Sequence, residues 1–164
     1  MRVRNSFVLL LMFVLVGLTA CQKSETTEKQ KINIKSETCE IIESSEAICE
    51  KPVKSGIYTE YSQWEKAIDG TDIEVILEKK DIYDEDFFED NALIYLVDCF
   101  SGNAQCEYEG YDIEEVDGNT IITVQVSGST ELLLNKLHAY YVFFTINKSE
   151  AEKIDEAEMS VFER

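Results

Sequence analysis

The sequence predicts an α+β domain: an antiparallel β-sheet of about four to six strands, carrying two or three short helices. Three observations predict it. Ala92 to Cys99 (ALIYLVDC) is a nearly continuous apolar run, the pattern of a buried central strand. Glu107 to Val116 and Thr120 to Val126 flank Asp117-Gly118-Asn119, where Asp-Gly supplies the positive φ of a tight hairpin. Tyr140 to Ile146 is apolar on both alternating faces, so it is expected to be covered on both sides.

The remaining elements follow in chain order. Tyr58 and Tyr61 are expected in a short strand after Pro52. Ser62 and Glu65 match a capping box, with Ser at the cap and Glu three residues on. They open a short helix holding Trp64, Ala67 and Ile68, and Gly70 is its natural stop. Ile73 to Leu77 is β-branched and reads as a strand. Asp84 caps a second short helix, Glu85 to Asp90, which turns Phe87 and Phe88 to the core; its first-turn acids suit the positive end of the helix dipole. Asn91 ends it. After the hairpin, Ser127-Gly128-Ser129 breaks the strand, and Thr130 to His138 fits either a short helix or a loop. Ser149 and Glu152 repeat the capping-box pattern and start a turn or helix. Met159 to Phe162 is expected to be a last edge strand.

The N-terminus carries an address. Arg2 and Arg4 precede an uncharged run from Phe7 to Leu18. That run is well short of the ~20 residues a spanning helix needs, which favours a cleaved signal, residues 1–20. Leu18-Thr19-Ala20-Cys21 resembles a bacterial lipobox, with cleavage just before Cys21 and a diacylglyceryl thioether on its sulfur. Two acyl chains suffice for stable anchoring. The expected location is the extracytoplasmic face of the cell membrane, with the membrane itself as first partner through Cys21. Residues 21–38 (CQKSETTEKQKINIKSET) are polar, with isolated Ile32 and Ile34, and read as the lipidated end and a flexible tether spanning roughly 20–25 Å. Residues 39–164 are then a single globular domain.

Composition limits the partners. The chain has 15 Lys+Arg against 33 Asp+Glu, and losing Arg2 and Arg4 takes the net charge from −18 to −20. Nucleic acid is excluded as a partner because phosphate contacts need a basic footprint. Docking onto anionic headgroups is disfavoured too, so the acyl chains must hold the protein to the bilayer. An envelope protein remains as a possible partner, and no motif sets an oligomeric state.

Setting Cys21 aside leaves Cys39, Cys49, Cys99 and Cys106, an even number in an exported chain, which reads as two disulfides. Of the three connectivities the local one is preferred. Cys39–Cys49 would close a short acidic loop and Cys99–Cys106 would clamp the connection between two strands. The cysteine spacings, with one histidine in the chain, make a poor zinc pattern.

The stretch Asp84-Glu85-Asp86-Phe87-Phe88-Glu89-Asp90-Asn91-Ala92-Leu93-Ile94 carries a resemblance. Its D-x-x-F-F-x-x-N-x-L junction, followed by a strand, a small-residue loop, the Asp117-Gly118-Asn119 hairpin and the Tyr140–Ile146 strand, is similar to uncharacterised clostridial-type lipoproteins. More loosely, it resembles the small β-rich C-terminal domain of the protease-complex subunit PrcB. The likeness covers roughly residues 81–147. The family loop usually looks like Thr-Gly-Gly-Tyr, whereas here it is Ser101-Gly102-Asn103-Ala104-Gln105 between two cysteines. The resemblance implies a non-catalytic, envelope-facing accessory module and carries over no catalytic residues.

Motifs for chemistry are sparse. His138 is the lone histidine and lies outside any nucleophile elbow. There is no P-loop and no G-x-G-x-x-G. Carboxylate pairs occur by chance among so many acids, which keeps a small hydrolase as the alternative, but a glycosidase also needs a sugar cleft. The acids from Asp81 to Asp90 invite a calcium reading, yet Phe87 and Phe88 interrupt them and no glycine makes the turn of an EF-hand loop. No metal and no cofactor is expected, and a weak calcium-binding surface stays as a further alternative. Tyr58, Tyr61, Tyr83, Tyr108, Tyr111 and Trp64 are either an exposed binding patch or core and sheet packing. Ser101, Gly102, Asn103, Tyr108 and Tyr111, around the loop that a Cys99–Cys106 bridge would stiffen, are the candidate binding residues, because a rigid loop costs less to order on binding.

Overall fold

The structure, a computed structural model, describes residues 32–44, 53–101, 106–128 and 137–163. Among these, the α+β class stands, with two sheets and four short helices. The first sheet contains β1 (Glu37–Ser44), β2 (Gly56–Tyr58), β3 (Asn91–Ser101) and β6 (Leu137–Asn147), in the order β1-β6-β3-β2. The second contains β4 (Cys106–Val116), β5 (Asn119–Gly128) and β7 (Glu156–Glu163), in the order β4-β5-β7. The helices are α1 (Tyr61–Ile68), α2 (Glu74–Lys79), α3 (Phe87–Asp90) and α4 (Lys148–Ala151).

The two central strands of the first sheet are those the sequence marked most strongly. In β6, Tyr141 and Phe143 join the core under the helices, while Val142, Phe144 and Ile146 join the core between the sheets. In β3, Leu93 and Tyr95 face the helices, and Ala92, Ile94 and Leu96 face the second sheet. A strand buried on both faces must be apolar throughout, which is why neither strand alternates. The layers are therefore helices, four-stranded sheet, three-stranded sheet.

The helical layer is held by Trp64, which is fully buried. Its ring meets Tyr58 edge-on at 5.3 Å and Tyr83 edge-on at 6.1 Å between centroids. Tyr61 begins α1 rather than extending β2. The true reach-back is by Gln63, whose Oε1 accepts from the Thr59 N–H at 3.0 Å, so Ser62 lies inside the helix. The same shift recurs at α4, where Asn147 is the cap and its Nδ2 meets Glu150 Oε2 at 3.5 Å. Gly70 follows α1 at φ 73°, as a helix stop requires.

Residues 73–77, expected as a strand, instead lead into α2. In a strand Ile76 would share a face with Glu74 and Glu78. Helical spacing brings Ile73 and Ile76 to one side, at 1% and 0% exposure, beneath the Trp64 cluster. Before α3 the cap position falls at Asp86 rather than Asp84, although Asp84 Oδ1 still accepts from the Phe87 N–H at 2.9 Å; Asn91 Nδ2 closes the end on the Phe87 carbonyl at 3.1 Å as expected. The helix itself is shorter than expected, starting at Phe87 rather than Glu85.

The strands do not make one sheet. The hairpin β4–β5, with Asp117 at φ 53° and Gly118 at φ 87°, builds the second sheet instead. β7 is an edge strand as expected, but it pairs parallel to β5. The reason lies in the path. From the end of β5 the chain returns along β6 in the first sheet, turns through α4, and re-enters the second sheet at the end where β5 begins. Asp155 seals that junction: its N–H donates to the Thr120 carbonyl and its Oδ2 accepts from the Thr120 N–H, both at 2.8 Å.

The domain takes in residues before Cys39. Ile34, which reads as part of the tether, is 8% exposed in the core between the sheets, and β1 already starts at Glu37.

Candidate functional site

Strand directions give the domain two poles. The N-terminal segment enters at one of them, beside the end of β6, with Glu37 opposite Ile146. β1 and β3 end at the other pole, as does β5, while β4 and β6 begin there. An 11-residue strand such as β3 spans the distance between poles, ~35 Å. Glu43, Cys99, Ser101, Cys106 and His138 all belong to the distal pole.

His138 pairs with Phe100 across the first sheet and is 7% exposed. Its Nδ1 lies 2.6 Å from Glu43 Oε1. The approach misses hydrogen-bond geometry. The pair links β1 to β6.

The three described cysteines do not share one face. Cys99 packs with the cluster under the helices, whereas Cys106 packs with the cluster between the sheets. Cys39 is on the Cys106 side. The clamp expected between Cys99 and Cys106 therefore joins residues on opposite sides of the first sheet. Burial, and then Glu37 and Glu40, push the Cys39 thiol up to about 12; burial, and then Glu43, push Cys106 up to about 11. A thiol kept protonated in this way is a poor nucleophile. In protein reduced under native conditions, Cys39 and Cys106 are expected to alkylate at pH 8 at least about tenfold more slowly than an unperturbed thiol. Timed iodoacetamide labelling with peptide mass analysis checks this.

Tyr108 and Tyr111 do not form an exposed patch. They sit three residues apart, so strict alternation would place them on opposite faces of β4. A bulge between Tyr108 and Gly110, with Gly110 at φ 136°, turns both inward. Their rings lie 5.8 Å and 6.0 Å from that of Phe144, and Tyr108 Oη donates to Glu37 Oε1 at 2.5 Å. Burial and that carboxylate hold the Tyr108 hydroxyl protonated well above its usual range. Tyr58, Tyr83 and Trp64 are buried and Tyr61, Tyr108 and Tyr111 partly so, each against one of the two cores, so the aromatic set is mainly packing. Gly110, an isolated glycine inside a strand pattern, was the available signal for the bulge. Gly110→Ala puts a side chain on a backbone conformation that favours glycine, and a stability loss of about 1–3 kcal/mol is expected by urea titration.

Ser101 closes β3, whereas Gly102 and Asn103 lie outside the described residues, as do Cys21, Cys49 and residues 129–136. Among the described residues no three of His, Cys, Asp and Glu converge as metal ligands, and Glu150 is the one buried carboxylate. No helix among them is long and apolar enough to cross a membrane.

Fold and pole geometry define the class as a three-layer α+β domain, helices on a four-stranded sheet backed by a three-stranded one. No protein family, curated protein or solved structure matches the chain.

Proposed function

We propose that this chain is a lipid-anchored, extracytoplasmic, non-enzymatic binding module of the cell envelope, held to the membrane through Cys21. The observation that supports it best is the polarity of the domain. The first described strand, β1, starts at one pole, while Glu43, Ser101, Cys106 and His138 lie at the other. A tether at one end leaves the far end free to meet an envelope protein. The lipobox and the resemblance to uncharacterised clostridial-type lipoproteins point the same way. The oxidising side of the membrane is also where Cys39, Cys49, Cys99 and Cys106 would pair.

Two measurements test this. Cys21→Ser is expected to release the protein from the membrane fraction into the aqueous phase. Cross-linking on intact cells, followed by purification from membranes, is expected to recover one reproducible envelope partner whose cross-links map to the distal pole. A Cys21→Ser protein that stays with the membrane would remove the anchor. Recovery of no partner would remove the binding role.

A further inference from the structure

Among the described residues the two sheets have four edge strands, β1, β2, β4 and β7. β2 is only three residues long. β4 is interrupted by its bulge between Tyr108 and Gly110, a device that keeps further strands from adding to an edge. β1 is flanked from both layers: Lys79 reaches Glu40 on one of its faces at 2.6 Å, and Tyr108 reaches Glu37 on the other at 2.5 Å. β7 has none of these protections. Its eight residues pair with β5 in unbroken register, without proline, lysine or a bulge, and its other side pairs with no strand among the described residues.

The two faces of β7 differ. Ala157 and Met159 pack on the core between the sheets but stay half-buried, whereas Ile122, Val124 and Val126 of the neighbouring β5 are fully buried. A strand laid along β7 would cover that inner row further. Glu156, Glu158, Ser160 and Phe162 are exposed on the outer face. Glu156 Oε1 accepts from Asn119 Nδ2, and Glu158 Oε1 accepts from Thr123 Oγ1, both at 3.0 Å, which fixes the two carboxylates along this edge. The second sheet carries five acids on β4 and three on β7, and none of its strands has a Lys, Arg or His.

Backbone and charge together select an occupant. An open edge takes an extended chain through main-chain hydrogen bonds, and the alternating side chains beside it set which chain. A second copy of this protein would bring one acidic sheet against another, and like charges across a strand pair are destabilising. A strand with bases on one face and small aliphatic groups on the other complements both rows of β7.

We propose that β7 takes up an extended segment of another protein as an added strand, with Lys or Arg at alternate positions beside Glu156 and Glu158 and small aliphatic side chains beside Ala157 and Met159. Glu156 and Glu158 lie in the half of β7 farther from the distal pole, so this surface does not rest on the partner proposed there.

The probe is the peptide acetyl-Thr-Lys-Val-Lys-Val-Lys-Thr-amide, titrated into the ¹⁵N-labelled full-length chain in non-ionic detergent micelles. Saturable amide shifts are expected along β7, with slower hydrogen exchange at those of its amides that face away from β5. The counterpart with Glu in place of each Lys is expected to bind at least about tenfold more weakly. N-methylation of the probe at alternate residues, in either of two frames, separates strand pairing from charge attraction. One frame removes the pairing donors and is expected to abolish binding, and the other leaves them intact. The double variant Glu156→Gln with Glu158→Gln is expected to bind the probe about tenfold more weakly, a difference of ~1.4 kcal/mol, with the rest of its spectrum unchanged. The proposal is overturned if the probe produces no shifts, if the Glu peptide binds equally well, if both methylated forms bind alike, or if the shifts centre away from β7. None of these outcomes depends on the distal-pole partner, so the two readings fail separately.

Discussion

Phe144→Ala is expected to cost about 3–5 kcal/mol of unfolding free energy, enough to consume much of a typical domain's stability. Phe144 is fully buried in the core between the sheets, and the rings of Tyr108 and Tyr111 meet it there. Removing it opens a cavity at the point where the bulged strand is held to the first sheet. Neither tyrosine can fill the gap, because the bulge sets their approach. Urea unfolding followed by the fluorescence of Trp64, in the other core, reads the loss. A change below about 1 kcal/mol would mean that the sheets are not packed through this residue. The matched variant Phe143→Ala, on the opposite face of the same strand, separates the two cores: it removes the ring stacked on Tyr83 at 5.7 Å.

Glu150→Ala is expected to cost about 1–3 kcal/mol and to loosen the entry of the chain into the domain. The Glu150 side chain is 6% exposed, and its Oε1 accepts from the Lys35 N–H at 3.1 Å. Alanine leaves that backbone donor without its acceptor, next to Ile34 in the core. Hydrogen exchange should therefore rise first at residues 34–37, with little change at the far pole. Uniform faster exchange across the domain would show that Glu150 serves the whole fold and not the attachment of the tether. Glu150→Gln keeps an acceptor and is expected to restore most of the loss.

Much of the fold was legible because its signals are local. Asp117-Gly118 encodes a tight turn wherever it is placed, and Asp84 and Asn91 bound a helix through bonds three or four residues long. The apolar runs of β3 and β6 announce burial on both faces without naming their neighbours. Ile73 to Leu77 misled because β-branched residues fit a strand or a buried helical turn, and only the Trp64 cluster above them decides. The candidate site was less legible. Strict alternation puts Tyr108 and Tyr111 on opposite faces, and only the bulge at Gly110 turns both inward. The faces of Cys99 and Cys106 depend on which sheet each strand joins.

From its sequence alone, this protein declares its class, its hairpin, its two-sided strands and, through Leu18 to Cys21, its expected address. Those features rest on periodicity, turn chemistry and a short motif, all read within a few residues. Only the tertiary structure decided that the strands divide into two sheets, that β7 runs parallel to β5, and that Ile34 belongs to the core. Pairing partners are chosen by which apolar faces can close on one another across the whole chain, and no local pattern carries that choice.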